Sequence, residues 1–158
     1  MLDRKQHGGI AGVSMTLLLT AVLVAPSTAL AAEDALTRGD GRSLEAGELG
    51  QGAVVLVFMA SWSPRCRDVI ERVAQIQARW GDRTRLVIIN FQEEPADMER
   101  FLAGKSTEAE IFYDRDGIFS KEYAITFLPG LLVLENGAVA FRGRLGRNPN
   151  GIIAEILG

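Results

Sequence analysis

The stretch VVLVFMASWSPRC, Val54 to Cys66, places an apolar run, a turn and a prolyl helix start around the only cysteine of the chain. Val, Leu and Phe in succession, closed by Ser61, predict a buried strand over Val54–Met59. Ser63 followed by Pro64 reads as a helix N-cap with proline at the first helical position, so Cys66 falls in the first helical turn. Unpaired backbone N–H groups and the helix dipole there favour a thiolate wherever water reaches the sulfur. A cysteine that water does not reach is a small buried hydrophobe, which is what most free cysteines are. Any thiol chemistry must use this one sulfur.

Downstream, Cys66, Val69, Ile70, Val73, Ile76 and Trp80 recur at a helical period, with Arg65, Arg67, Asp68, Glu71, Arg72, Gln75 and Arg79 largely filling the other faces. The predicted helix runs from Pro64 to Trp80 and stops at Gly81-Asp82. Leu86–Ile89 is apolar on both faces, as a central strand covered by helices is. Pro95 starts a short helix through Leu102, with Glu93, Glu94 and Asp97 where the dipole favours acid. Glu110–Tyr113 reads as a short strand before the Asp114-Arg115-Asp116-Gly117 turn, and Phe119–Ile125 as one or two helical turns. Leu131–Leu134 and Ala138–Arg142 flank Asn136-Gly137, a hairpin signal, and Gly151–Leu157 reads as a terminal amphipathic helix. This order calls for an α/β fold, a central sheet with helices on both faces.

Upstream, residues 1–31 read as a signal peptide. Arg4 and Lys5 precede an uncharged apolar run centred on Ile10 to Val24, and Ala29-Leu30-Ala31 forms an Ala-x-Ala cleavage site. The alternative is an uncleaved membrane anchor, because no charge falls between Gln6 and Ala32. Residues 32–43 read as a polar linker and 44–158 as one domain, its first part, Ser43 to Gly52, rich in turns. Loss of Arg4, Lys5 and Asp3 from the 17 basic and 20 acidic side chains leaves 15 and 19. That balance, with no basic stripe, argues against nucleic acid and against an anionic membrane once the leader is cut. The single histidine, His7, leaves with the leader, so neither a soft-metal site nor a His-activated nucleophile is expected, and no cofactor is called for. An odd cysteine in an exported protein points to pairing with another molecule or to a free thiol.

From about Leu44 to Gly158 the chain resembles the thioredoxin superfamily, in particular its exported TlpA/ResA-like thiol-disulfide oxidoreductase branch. The marks are VVLVFMASWSPRC, matching a strand followed by Trp-Cys-x-x-Cys; Glu94-Pro95 after VIINF; and YAITFLPGLLVLENG, with Tyr123, Ile125, Pro129 and Gly137 at the places of the family's short helix, cis-proline and hairpin turn. The resemblance implies a thioredoxin-like fold and a site built from Trp62, Ser63, Pro64, Cys66, Leu128 and Pro129. Ser63 stands where the attacking, solvent-facing cysteine belongs, and Cys66 where the buried resolving cysteine belongs. Gly130 replaces the common Thr after the cis-proline, and Met59 a frequent aromatic. A serine cannot accept electrons or form a mixed disulfide. The resemblance further implies that the backbone of Leu128 is open to strand-type pairing with an extended partner segment, and that Trp62 sits at the rim of the site, where an amphipathic ring offers contact area.

Two function classes follow. One is a periplasmic or secreted oxidoreductase using Cys66 alone, through a mixed disulfide with a thiol protein or small thiol of the cell envelope. The other is a redox-silent module that holds a protein or peptide on the Trp62/Pro129 surface, or serves an assembly there.

Overall fold

The computed structural model describes residues 36–44 and 47–158; the expected leader lies outside them, as does most of the linker's first part. A six-stranded mixed sheet organises the described residues: β1 (Thr37–Arg38), β2 (Ala53–Met59), β3 (Arg85–Phe91), β4 (Glu110–Asp114), β5 (Gly130–Glu135) and β6 (Ala138–Arg144), in the order β1-β4-β3-β2-β5-β6. Strands β2, β3 and β4 are parallel, and β5, β6 and β1 each run antiparallel to their neighbour. The helices are α1 (Val69–Trp80), α2 (Pro95–Leu102), α3 (Ile118–Glu122) and α4 (Pro149–Leu157). The architecture is thioredoxin-like.

Side chains alternate across the central strands. Val55, Val57, Met59, Leu86, Ile88, Leu131 and Val133 enter one core together with Val69, Ile70, Val73, Ile76 and Trp80 of α1, Met98 of α2 and Ile153 of α4. Val54, Leu56, Phe58, Val87, Ile89, Leu132 and Leu134 enter the other, with Phe119 of α3 and Tyr123, which caps that helix. The partition follows from topology: β2-α1-β3-α2-β4 advances in one direction across the sheet, so two right-handed crossovers put α1 and α2 on one face. The return to β5 carries α3 over the other.

Three sequence expectations change. The helix from Pro64 divides into a 3₁₀ turn, Pro64–Cys66, and the α-helix proper from Val69. The Cys66 N–H bonds the Ser63 carbonyl at 2.9 Å, and Asp68, at φ −106° and ψ 19°, interrupts helical geometry before α1. Ser63 occupies the cap position with extended backbone, but its hydroxyl makes no cap hydrogen bond. The described end of the expected linker is also part of the fold: Thr37 and Arg38 pair with Tyr113 and Phe112, and Leu36 is buried in the α3-side core beside Leu44 and Leu49 from the domain's turn-rich first part. Local polarity hid this, because three leucines scattered among charged residues and glycines show no strand or helix period. The predicted turn at Asn136-Gly137 is present, with φ of 50° and 81°, as the type I′ hairpin requires.

Two substitutions test this packing. Val73→Asp buries a carboxylate with no partner against β2 and β3 and should destabilise the domain by about 3 kcal/mol or more; an unchanged thermal midpoint would show the α1 register to be different. Leu36→Ala, by cavity formation, should cost ~2–3 kcal/mol, whereas a true linker residue would cost nothing measurable.

Candidate functional site

Topology assembles the site at one edge of the sheet. Met59 and Asn90 are register partners at the C-terminal ends of parallel β2 and β3, so the loop after β2 lies beside the loop after β3. Because β5 is antiparallel to β2 and Gly130 faces Phe58, the segment leading into β5, Ile125–Pro129, reaches the same edge. Asp114 sets that segment's approach. Its fully buried carboxylate accepts the N–H groups of Phe119 at 3.1 Å and Ser120 at 2.8 Å, capping α3 in place of the usual Ser or Thr.

Glu93 holds the β2 loop from below. Its buried carboxylate accepts the Ser61 N–H at 2.9 Å, the Ser61 hydroxyl at 2.5 Å, the Trp62 N–H at 3.3 Å and the Asn90 side-chain amide at 2.5 Å. Sequence reading took Glu93 only for an acid favoured by the helix dipole. The signal it left was positional: an acid just past a parallel strand adjacent to β2, at the end of the sheet where open α/β folds build their sites.

Above this anchor two adjoining clefts open. The first, of about 490 Å³, is lined by Trp62, Ser63, Pro64 and Arg65 on one side and Ile125, Thr126, Phe127 and Leu128 on the other, with Phe91 and Ser120 completing it. The second, of about 330 Å³, is lined by Pro64, Arg65, Asp68, Arg72, Leu128, Pro129, Arg144 and Leu145. Trp62 is 60% exposed at the rim. The Leu128–Pro129 peptide is cis. The Pro129 carbonyl accepts the Leu145 N–H at 3.0 Å, whereas the N–H and C=O of Leu128 make no backbone hydrogen bond among the described residues. Gly130 fits closely: a Cβ there would stand 3.1 Å from the Phe127 carbonyl oxygen and 3.2 Å from Ile125 Cγ2, so the loop has settled into the space a threonine would need.

Of the residues expected at the site, Trp62, Ser63, Pro64 and Leu128 line the first cleft and Pro129 the second. Cys66 lines neither. It is completely buried, packed in the α1-side core with Met59 and Val69. Burial pushes its thiol above the ordinary range; the Ala60 backbone, the Ser63 hydroxyl and the Arg72 charge act the other way, and the Glu93 charge adds to the rise. The thiolate expected of a cysteine in the first turn of an exposed helix is therefore disfavoured. The 3₁₀ turn is the cause, since it tucks the sulfur beneath Ser63. No group of three or more His, Cys, Asp or Glu side chains suited to a metal ion gathers among the described residues.

The family model described as AhpC/TSA matches residues 25–155. The chain belongs to the AhpC/TSA family. No curated protein sequence matches it, but solved structures do. One from Chlorobium tepidum, described as a thiol:disulfide interchange protein DsbE, superposes with a TM-score of 0.67 at 24% identity, over 77% of this chain and 89% of that one. DsbF of MTB gives 0.65 at 22% identity, over 78% and 96%, and StoA of Bacillus subtilis 0.57 at 23%, over 69% and 84%. These likenesses carry the thioredoxin-like fold to this AhpC/TSA member. Among the described residues no helix is long and apolar enough to cross a membrane.

Two measurements follow from the state of Cys66. A thiol reagent at neutral pH should label the native protein far more slowly than the denatured one; equal rates would place the sulfur at the surface. Because the folded state disfavours the thiolate, Cys66 contributes stability that is fully present below the unfolded thiol pKa, about 8.5, and is lost as pH rises beyond it. The thermal midpoint should accordingly fall above that pH, and Cys66→Ala should flatten that part of the profile whatever it costs in packing.

Proposed function

We propose that this chain is an exported member of the TlpA/ResA-like branch that has kept a partner-docking surface and given up dithiol exchange. The observation that carries the proposal is the separation of the two halves of the site. Trp62, Pro64 and Leu128 line an open apolar cleft, while the one sulfur is wholly buried with its thiolate disfavoured. Exchange requires a thiolate with in-line access to the target sulfur, and Ser63 at the outer position provides neither electrons nor a leaving group. Binding requires only the surface. The partner on this reading is a protein or peptide of the cell envelope that lays an extended segment along Leu128 and pairs with its free backbone groups. The monothiol alternative would need the Pro64–Cys66 turn to open before a mixed disulfide with a small thiol or thiol protein could form.

The substitution Ser63→Cys tests the reading. Ser63 and Cys66 are joined across one 3₁₀ turn, with the Cys66 N–H on the Ser63 carbonyl, so two cysteines there come within disulfide reach. The oxidised variant should lose two hydrogens by mass, and its insulin-reduction rate with a chemical reductant should exceed the wild type, which should show little or none. Wild type turning over as fast as the variant would overturn the redox-silent reading. A variant that forms no disulfide would overturn the assignment of positions 63 and 66 as the family's cysteine pair.

A further inference from the structure

We infer that the paired clefts select an acidic segment: an extended stretch of a partner protein that puts an apolar side chain between Trp62 and Phe127 and a neighbouring carboxylate against Arg65 and Arg144. The inference rests on the docking reading above and adds to it the chemistry of what docks.

The charge distribution carries it. Acidic side chains outnumber basic ones in the chain as a whole, 20 to 17, yet three arginines and one aspartate line the second cleft. The aspartate is already satisfied. Asp68 is held by Arg72 at 2.6 Å, which keeps its carboxyl below the usual carboxylate range, and the Arg147 charge acts on it in the same direction. Arg72 also donates to the Leu145 carbonyl at 2.8 Å, so it is fixed in place and matched. Arg65 and Arg144 have no ion-pair partner among the described residues. Arg38, Arg42 and Arg85 converge on Glu110, and Arg115 meets Glu94; Arg67, Arg79, Arg83, Arg142 and Arg147 also have no ion pair among the described residues, but they line neither cleft. The buried acid closest to the loop, Glu93, turns inward to Ser61, Trp62 and Asn90 and presents nothing to the clefts.

The two halves form one track. Pro64, Arg65 and Leu128 belong to both clefts, so Arg65 stands at their junction, beside the unpaired backbone of Leu128. Arg144 reaches the same place from β6, its guanidinium lying 4.6 Å from the centroid of the Phe127 ring. That stacking holds the charge at the lip of the apolar half. Successive residues of an extended strand advance about 3.3 Å, so an apolar residue and a carboxylate one or two positions apart span the junction. Opposed potentials of this kind set partner choice and encounter rate more than total affinity.

Titration of the purified protein with four synthetic heptapeptides tests this, following the amide signals of Leu128 and the indole of Trp62 by NMR. The probes are Gly-Ser-Phe-Asp-Asp-Ser-Gly, its Lys-Lys and Asn-Asn counterparts, and the acidic peptide with Ala in place of Phe. The acidic Phe peptide should bind about tenfold or more tighter than the Lys-Lys one at low salt, with the gap narrowing as added salt screens the contact. The Ala peptide should bind more weakly than its Phe parent. Arg144→Glu, at an exposed position, should abolish or invert the charge preference while the Phe-over-Ala preference remains. Equal binding of the acidic, neutral and basic Phe peptides, or a preference for lysine, overturns the inference and leaves the docking reading standing. Signals at Leu128 and Trp62 that no peptide moves overturn both.

Discussion

The buried carboxylate of Glu93 is the interaction on which the site depends. Four donors from Ser61, Trp62 and Asn90 converge on it. They pin Ser61 and Trp62, the second and third residues after β2, to the loop that follows β3. Beyond Ser61, Trp62 turns outward to the rim and the Pro64–Cys66 turn puts Cys66 in the α1-side core. The cost of burying a carboxylate is offset only while its donors remain, which makes the loop's shape a property of the folded sheet and not of the loop's own sequence.

On the proposed reading, a serine at position 63, where a dithiol site would have its outer cysteine, separates two properties that such a site combines. Reactivity needs a thiolate that a partner's sulfur can approach. Recognition needs apolar area, free backbone groups and charge. Trp62, Phe127, Leu128 and the flanking arginines line the clefts and Cys66 packs in the α1-side core; the proposed reading assigns recognition to the first group. Fold alone would not have distinguished these outcomes, since function lives in the residues placed on it. The AhpC/TSA assignment and the likeness to DsbE, DsbF and StoA structures describe the scaffold; the proposed loss of dithiol exchange rests on the burial of one sulfur.

The proposed recognition surface carries two arginines without an ion-pair partner among the described residues. Arg38, Arg42, Arg85, Glu48 and Glu110 form a half-buried network at the far side of the sheet, where each cation meets an anion. Arg65 and Arg144 meet none. Their positions come from different parts of the chain, one from the 3₁₀ turn and one from the end of β6, and only the β5–β6 register, with Gly130 opposite Arg144, brings the second beside the first.

Much of the fold was legible in the sequence because its signals are local. The continuous apolar runs of β2 and β3, the helical period from Val69 to Trp80, Pro95 at a helix start and Asn136-Gly137 at a hairpin each report on the conformation of their own residues. The chemical limit was legible too: one cysteine, and a serine at the partner position. What the tertiary structure decided lies between segments distant in sequence. Leu36 and Leu44 are core only because β1 pairs with β4, and no periodicity announces two residues of strand. Cys66 is buried because a 3₁₀ turn and an α1-side core close over it, whereas its sequence neighbours, a proline and two arginines, suggested an accessible helix start. Glu93 is an anchor and Arg144 part of the groove because the sheet's register carries them there. Burial and proximity are sums over the whole packed chain, and sequence spacing specifies only the terms that neighbours along the chain contribute.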